Sequence, residues 1–425
     1  MAIKTLEERL ARIHANPHGG NDYILADAKD ADMALSIGAP GRSPERWPDG
    51  EMKHKTLSEF REQITEIVHQ GLVDIMLMSA STAEVLCMEK RLFENSKVTP
   101  AARANDTTDI HIVRGSRYPG QPSLPFRTAT LDHIMCGKAE CESGVKHLGP
   151  DLGLYSITFA NDAERDRIAL EEYKQFRIEA EIKGFRHFLE VFDPNVAGMV
   201  DPAQLGGFVN DCIVRALGGV TSRGRPVFLK IVYHGARAME ELVRYDPHLV
   251  VGILGGSAGT TYDAFKLLSE SKKYGARVAL FGRKINNAEN QLAFIRFLRL
   301  IADGEITAEE AVKAYHGVLD KLNIKPQRSL REDMEITTGI MNYGGGPAMV
   351  TVPGNVPGKS PAKPTLVAAG SKPVTPAVAK PAPKPETLSG VAKHIVPEAT
   401  PDFSKMTSAE KVAWQKARWD RILGK

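Results

Sequence analysis

Phe228-Leu-Lys-Ile-Val-Tyr-His-Gly235 decides the fold. Phe228, Leu229, Ile231, Val232 and Tyr233 have the composition of a strand buried on both faces, as in a parallel sheet. Lys230 stands among them. A buried lysine costs several kcal/mol unless it is paired or neutral, so one placed inside an apolar strand points to use. Two similar runs follow, Leu249-Val-Val-Gly-Ile-Leu-Gly-Gly-Ser-Ala-Gly259 and Arg277-Val-Ala-Leu-Phe-Gly-Arg-Lys-Ile285. They read as consecutive strands, each running out into glycine.

Working outward, the same rhythm of strand and helix extends towards the N-terminus. Tyr23–Asp27 reads as strand one, Leu72–Met78 as two, Asp109-Ile-His-Ile-Val-Arg114 as three, Leu152–Phe159 as four and Phe185–Phe192 as five. The Lys230 run is strand six, Leu249–Leu254 seven and Val278–Phe281 eight. Apolar residues at Leu57, Phe60, Ile64, Ile67 and Val68 have helical spacing. Helices are expected at Ala83–Asn95, Asp162–Lys183, 202–218, Gly235–Tyr245, Tyr262–Tyr274 and Asn290–Asp303. Another runs from the capping box Thr307-Ala-Glu-Glu310 to Leu322. Residues 5–14 form a lead-in helix, and 115–150 read as an insertion above the C-terminal end of strand three. Eight such repeats indicate an α/β (β/α)8 TIM barrel over residues 1–335. An open doubly wound sheet is the alternative, but no Gly-x-Gly-x-x-Gly follows strand one.

The rest of the chain of 425 residues has a different character. Residues 336–402 are rich in Pro, Ala and Lys, a composition that buries no core and reads as a flexible linker. Residues 403–425 read as an amphipathic helix, begun by Thr407-Ser-Ala-Glu410, with Val412, Trp419, Ile422 and Leu423 on one face.

The net charge of +3 implies no nucleic-acid or other polyanion partner. The charged N-terminus, Met1–Ile13, is not a signal peptide, and no uninterrupted apolar run is long enough to span a membrane. A cytoplasmic protein is expected. Four cysteines, Cys87, Cys136, Cys141 and Cys212, are too few for a disulfide scaffold. Cys136 and Cys141 have no second pair to complete a zinc site, so ordinary reduced thiols are expected and no metal.

In a (β/α)8 barrel the chemistry gathers at the C-terminal ends of the strands. Those ends offer Asp27, Ser79, Arg114, Glu190, Asp193, Lys230, Tyr233, Ser257, Gly282 and Arg283. Gly255-Gly256-Ser257 and Gly282-Arg283 close strands seven and eight. Glycine-exposed N–H groups beside a helix start, with an arginine, suit a phosphate, although the glycines also serve simply to make tight turns. For Lys230, an amine attacks a carbonyl only when unprotonated, and at an ordinary lysine pKa only about 0.04% is neutral at pH 7. Burial among apolar neighbours favours the neutral form and iminium formation. A lysine paired with Glu190 on the adjacent strand is the structural alternative.

These motifs, Phe-Leu-Lys-Ile-Val-Tyr-His-Gly, Gly-Gly-Ser and Phe-Gly-Arg-Lys-Ile, resemble class I aldolases. The likeness is to the archaeal-type fructose-bisphosphate, tagatose-bisphosphate and deoxyribose-phosphate aldolase group, over about residues 20–325. The resemblance implies a Schiff base on Lys230, no cofactor, and phosphate held by Gly256, Ser257, Gly282 and Arg283. It matches Asp27 to the family's acid on strand one and Glu190 to the strand-five glutamate of the tagatose-bisphosphate branch, a proton shuttle. The family's strand-four lysine is absent, although Tyr155 or Ser156 could point inward. Its strand-five tyrosine acid is replaced by a choice among Glu190, Phe192 and Asp193, and Lys284 stands where asparagine is common. The acid–base partner is therefore open among Glu190, Asp193, Asp27 and Tyr155.

The implied substrates are a phosphorylated sugar, or dihydroxyacetone phosphate plus an aldehyde, and a homo-oligomer is expected. Alternatives are a metal-dependent barrel lyase or isomerase, which would need several histidines at strand ends, and a non-catalytic phosphosugar-binding scaffold. The tail resembles the encapsulation peptides of bacterial microcompartment enzymes. That implies a shell protein docked through residues 407–423. The same helix could instead fold back on the barrel or pair with its copy.

Overall fold

A computed structural model describes residues 3–338, apart from 18, 143, 146, 257 and 258, and also Ala417. Eight parallel strands close into a barrel: β1 Ile24–Lys29, β2 Ile75–Met78, β3 Thr99–Arg103, β4 Leu152–Thr158, β5 Arg186–Phe192, β6 Leu229–Ile231, β7 Val251–Leu254 and β8 Val278–Phe281. Each pairs with its sequence neighbours, and β8 pairs with β1, Ile24 opposite Val278. Around it lie α2 Leu57–Gln70, α3 Ala80–Ala83, α4 Leu131–Cys136, α5 Ala163–Lys183, α6 Leu205–Leu217, α7 Ala236–Tyr245, α8 Thr261–Lys273, α9 Gln291–Ala302 and α10 Ala308–Lys321. They follow α1, Thr5–Ala15. No described helix is long and apolar enough to cross a membrane.

Strand parity sorts the side chains. Ile24, Ala26 and Ala28 of β1 join Ile75, Leu77, Ala101, Leu152, Leu154, Phe188, Phe228, Val250, Val278 and Leu280 in one buried cluster that fills the barrel. Leu6, Leu10 and Ile13 of α1 belong to the same cluster and seal the floor from which the strands rise. Three polar anchors pin the start of α1: Lys4 Nζ donates to the carbonyls of Phe93, Ser96 and Val98. The capping boxes at Thr56/Glu59 and Thr307/Glu310 start α2 and α10, and Gly71 ends α2 at φ 67°, a left-handed conformation suited to glycine.

Three expectations are corrected. Strand three is Thr99-Pro-Ala-Ala-Arg103, in register with Ile75–Met78 on one side and with Gly153 and Leu154 on the other. The run 109–114 makes no strand: the N–H groups of Ile110 and His111 both donate to the Thr107 carbonyl, as in a turn. Ala101 fits the crowded barrel interior and the strand pairs on both sides, which together outweigh the β-propensity of Ile-His-Ile-Val. The helix expected at Ala83–Asn95 is shorter. Ser79 caps α3 through the Thr82 N–H, a π-helical turn spans Glu84–Glu89, and Arg91 at φ 54° breaks the run. Finally, Cys136 and Cys141 are joined as a disulfide rather than left as separate thiols.

Residues 106–126 carry a two-stranded hairpin, Asp106–Thr107 against Pro125–Phe126. The linker and terminal-helix readings, 336–402 and 403–425, lie outside the described residues except for 336–338 and Ala417.

Candidate active site

The interior cluster ends upward in a polar layer. Phe188 and Phe228 stack at 4.5 Å, and two residues further along the same strands, on the same face, stand Glu190 and Lys230. The strands hold these two in direct register, and Lys230 Nζ lies 2.5 Å from Glu190 Oε1. Both side chains are buried. Ser156 of β4 stands opposite Glu190 and donates its hydroxyl to Glu190 Oε2 at 2.7 Å. Asn105 brackets Ser156 by accepting from its N–H and donating to its carbonyl. The carboxylate is therefore aimed at the amine by a strand, a hydroxyl and an amide.

A second cation completes the layer. Arg103, the last residue of β3, bonds Asp30 at 2.5 Å and lies 3.4 Å from Asp106 and 3.7 Å from Glu190. Burial works against its charge, but those three carboxylates outweigh burial and tighten its hold on the proton. Burial pushes Asp106 up to about 6, although Arg103 opposes the shift. Arg283, after β8, is weakened by burial and held charged by Glu190. Three acids, Asp30, Asp106 and Glu190, thus face three bases, Arg103, Lys230 and Arg283. Beside them, Asp193 accepts from His234 Nε2 at 2.8 Å, where β5 and β6 end.

Of the residues read from the sequence, Lys230 and Glu190 meet directly, and Asp193 meets His234. Asp27 and Tyr155 take the opposite parity. Asp27 lies 3.4 Å from Lys29, whose amine donates to Gln291 of α9 and sits over the Phe60 ring of α2, so this pair belongs to the layer between barrel and helices. Tyr155 packs its ring 4.4 Å from Phe176 and 5.1 Å from Tyr173, both of α5. The acid at the end of β1 that reaches the polar layer is Asp30.

The loops after β7 and β8 are built for close approach. A Cβ on Gly255 would lie 2.1 Å from the Phe281 ring, and one on Gly282 would lie 2.7 Å from the Ala28 carbonyl. Gly256 has φ 59°. Ser257 lies outside the described residues. The first N–H groups of α8 are already taken, Thr260 by Asp263 and Thr261 by Asp333. Burial lowers Lys284 to about 8, and its amine donates to the Gly259 carbonyl, bracing the loop.

Arg103, Asp30, Asp106, Asn105 and His234 are the site residues that the sequence reading missed. His234 follows the Lys230 strand and was legible by position. Arg103 was hidden because its strand was assigned elsewhere.

No protein-family model and no curated protein sequence matches the chain. Solved structures do. A fructose-bisphosphate aldolase from Slackia heliotrinireducens matches with TM-score 0.50 and 13% identity, over 73% of this chain and 90% of that one. An archaeal fructose 1,6-bisphosphate aldolase matches with TM-score 0.49 and 17% identity, over 71% of this chain and 100% of that one. Another archaeal fructose-1,6-bisphosphate aldolase, with its catalytic lysine covalently bound to the carbinolamine intermediate, gives 0.49 and 15% over 71% and 100%. At these identities the likeness is one of fold: a TIM barrel of the kind found in a fructose-bisphosphate aldolase.

Proposed function

We propose that the chain is a class I aldolase that makes or breaks a C–C bond of a phosphorylated sugar through a Schiff base on Lys230. The observation that carries this reading is the place of Lys230, buried and turned inward in the polar layer at the mouth of a barrel, with Glu190 at 2.5 Å; a purely structural ion pair would share that contact, and the trapping experiment below separates the two. The Lys230 amine attacks the substrate carbonyl carbon to give a carbinolamine, and loss of water leaves the iminium. Glu190, within hydrogen-bond reach of that nitrogen, takes the proton the amine sheds and returns one to the departing hydroxyl. The iminium accepts the electron pair of the breaking C–C bond as the substrate's β-hydroxyl gives its proton to Glu190, ionised again by the preceding step, which forms an enamine and releases an aldehyde. Protonation of the enamine and hydrolysis then restore Lys230. Asp193 with His234 is a second proton carrier at the same rim. The phosphate would lie on the glycine loops after β7 and β8, with Arg283 supplying charge. A metal-dependent reading draws no support from the histidines here: His187 is bonded to Tyr173 on α5, and His234 to Asp193.

Borohydride tests this. Reduction in the presence of dihydroxyacetone phosphate, or of members of a phosphosugar panel, should add the ligand's mass to the peptide holding Lys230 and to no other. Absence of an adduct with every panel member would overturn the reading.

A further part of the proposal is that residues 407–423 dock the enzyme to a microcompartment shell protein. It is supported by the apolar face of Val412, Trp419, Ile422 and Leu423 behind a Pro/Ala-rich tract. Deleting 400–425 should keep turnover and abolish co-sedimentation with shell proteins, and unchanged sedimentation would refute it.

A further inference from the structure

A second chemical cluster lies on the side of the barrel from which β4 starts. Cys136 ends α4, Cys141 follows in the connecting loop, and His147 precedes β4. One ligand atom from each, the two sulfurs and a His147 ring nitrogen, lie within 4.8 Å of one another. All three residues are partly buried. No other group of three or more metal-type side chains meets that distance among the described residues.

The constellation is held by contacts that do not involve sulfur–sulfur bonding. Gly137 turns at φ 73°, and its N–H donates to the His133 carbonyl. The Cys141 N–H donates to the Asp132 carboxylate, which Lys183 of α5 pairs at 2.7 Å. The returning segment is pressed onto α4: the Gly149 N–H donates to the Met135 carbonyl, and a Cβ at Gly149 would sit 2.2 Å from the Ile134 carbonyl oxygen. These contacts hold Cys141 and Gly149, two residues beyond His147, to α4 independently of the disulfide.

We infer that Cys136, Cys141 and His147 form a zinc-type site in the reduced chain, which the Cys136–Cys141 disulfide closes on oxidation. Two thiolates and one neutral imidazole, with a water in the fourth position, make a tetrahedral donor set that suits Zn²⁺. The balance is simple. A thiol or phosphine reductant supplies two electrons and, with two protons, converts the disulfide to two thiols. Zinc then displaces both protons as the thiolates bind it. Oxidation by a disulfide such as oxidised glutathione takes the two electrons back and releases the ion. The cluster lies away from the strand ends that hold Lys230, on the face of the barrel where residues serve stability. The ion would therefore tie Cys141 and His147 to the end of α4, apart from the chemistry at the mouth.

The test uses the full chain, reduced with a phosphine, desalted under nitrogen and titrated with Co²⁺. The reduced chain should give a thiolate-to-cobalt charge-transfer band that saturates at one ion per chain, and Zn²⁺ should displace it. The oxidised chain should give none. Cys136→Ser should abolish the band. His147→Ala should weaken binding by at least about tenfold, since losing even an outer partner of a ligand costs that much. At one Zn²⁺ concentration the Tm of the reduced chain should rise, and that of His147→Ala should rise by less. Should Cys136→Ser fail to fold, Cys141→Ser and His147→Ala carry the test. No band in the reduced chain would overturn the inference. So would a band of equal affinity in His147→Ala, or one that survives both serine variants and so belongs to Cys87 or Cys212.

Discussion

Glu190→Gln separates the two tasks that the Lys230–Glu190 pair would perform. The amide has the same shape but one acceptor where the carboxylate has two. Its oxygen can still accept from Lys230, while its NH₂ turns to Ser156, whose hydroxyl rotates to accept. The 3.7 Å contact with Arg103 loses its attraction, as do the charge–charge terms with Lys230 and Arg283. The hydrogen bonds therefore survive and the charge does not. At 2.5 Å and an effective dielectric of about 20, the gross attraction lost is on the order of 7 kcal/mol. Relief of carboxylate desolvation offsets much of it, so the net stability cost should be about 3 kcal/mol, the low end for breaking a buried pair. Proton transfer should suffer separately. Without a general acid–base, turnover should fall by about 10²–10⁴, or roughly 3–5 kcal/mol on the barrier. Borohydride trapping on Lys230, left until equilibrium is reached, should persist. The assays are denaturant unfolding, steady-state turnover and mass spectrometry of the reduced adduct. Unchanged turnover would remove Glu190 from the mechanism. A folded variant that turns over poorly and also fails to trap would show that Glu190 readies the amine rather than shuttling protons.

Further outcomes follow from parity and burial. Tyr155→Phe and Asp27→Asn should leave turnover unchanged, since both side chains lie in the layer against the helices, and a loss in a stably folded variant would contradict that placement. His187 is pushed down to about 3 by burial, and its ring nitrogen is bonded to the Tyr173 hydroxyl. Below its ordinary pKa near 6.5 the unfolded chain takes a proton that the folded chain refuses. Stability tied to His187 is thus present above pH 6.5 and is lost as pH falls towards 3, at up to about 1.4 kcal/mol per pH unit. Between pH 6.5 and 5, His187→Gln should lose about 2 kcal/mol less than the parent in urea unfolding, and parallel pH dependences would refute the assignment.

The barrel was legible because seven of its strands carry apolar runs that a parallel sheet demands, and because Lys230 has no business in such a run unless the fold uses it. β3 was not legible. Thr-Pro-Ala-Ala-Arg has weak strand character, and only the closure of the barrel around it makes it a strand. Losing β3 meant losing Arg103. Asp27 and Asp30 show a different limit. Both are acids at the end of β1, and which one faces inward depends on parity along a strand, where a shift of one residue exchanges the two faces. Motif matching finds the acid but not the face. Cys136 and Cys141 failed for a third reason: two cysteines separated by a short loop say little until the geometry shows how closely the loop turns and that His147 comes with them.

The floor that α1 lays beneath the barrel has a consequence for traffic. With Leu6, Leu10 and Ile13 packed into the interior cluster, the polar layer has its way out upward. In the proposed reaction, one fragment stays bonded to Lys230 while the other is free. Both must use the same doorway, so the queue is set before any kinetic detail: the untethered aldehyde leaves first. In the synthetic direction the tethered partner must already be seated before the aldehyde comes in behind it. A short helix at the start of the chain, far from any reacting atom, would thus impose an order of arrival and departure on the enzyme.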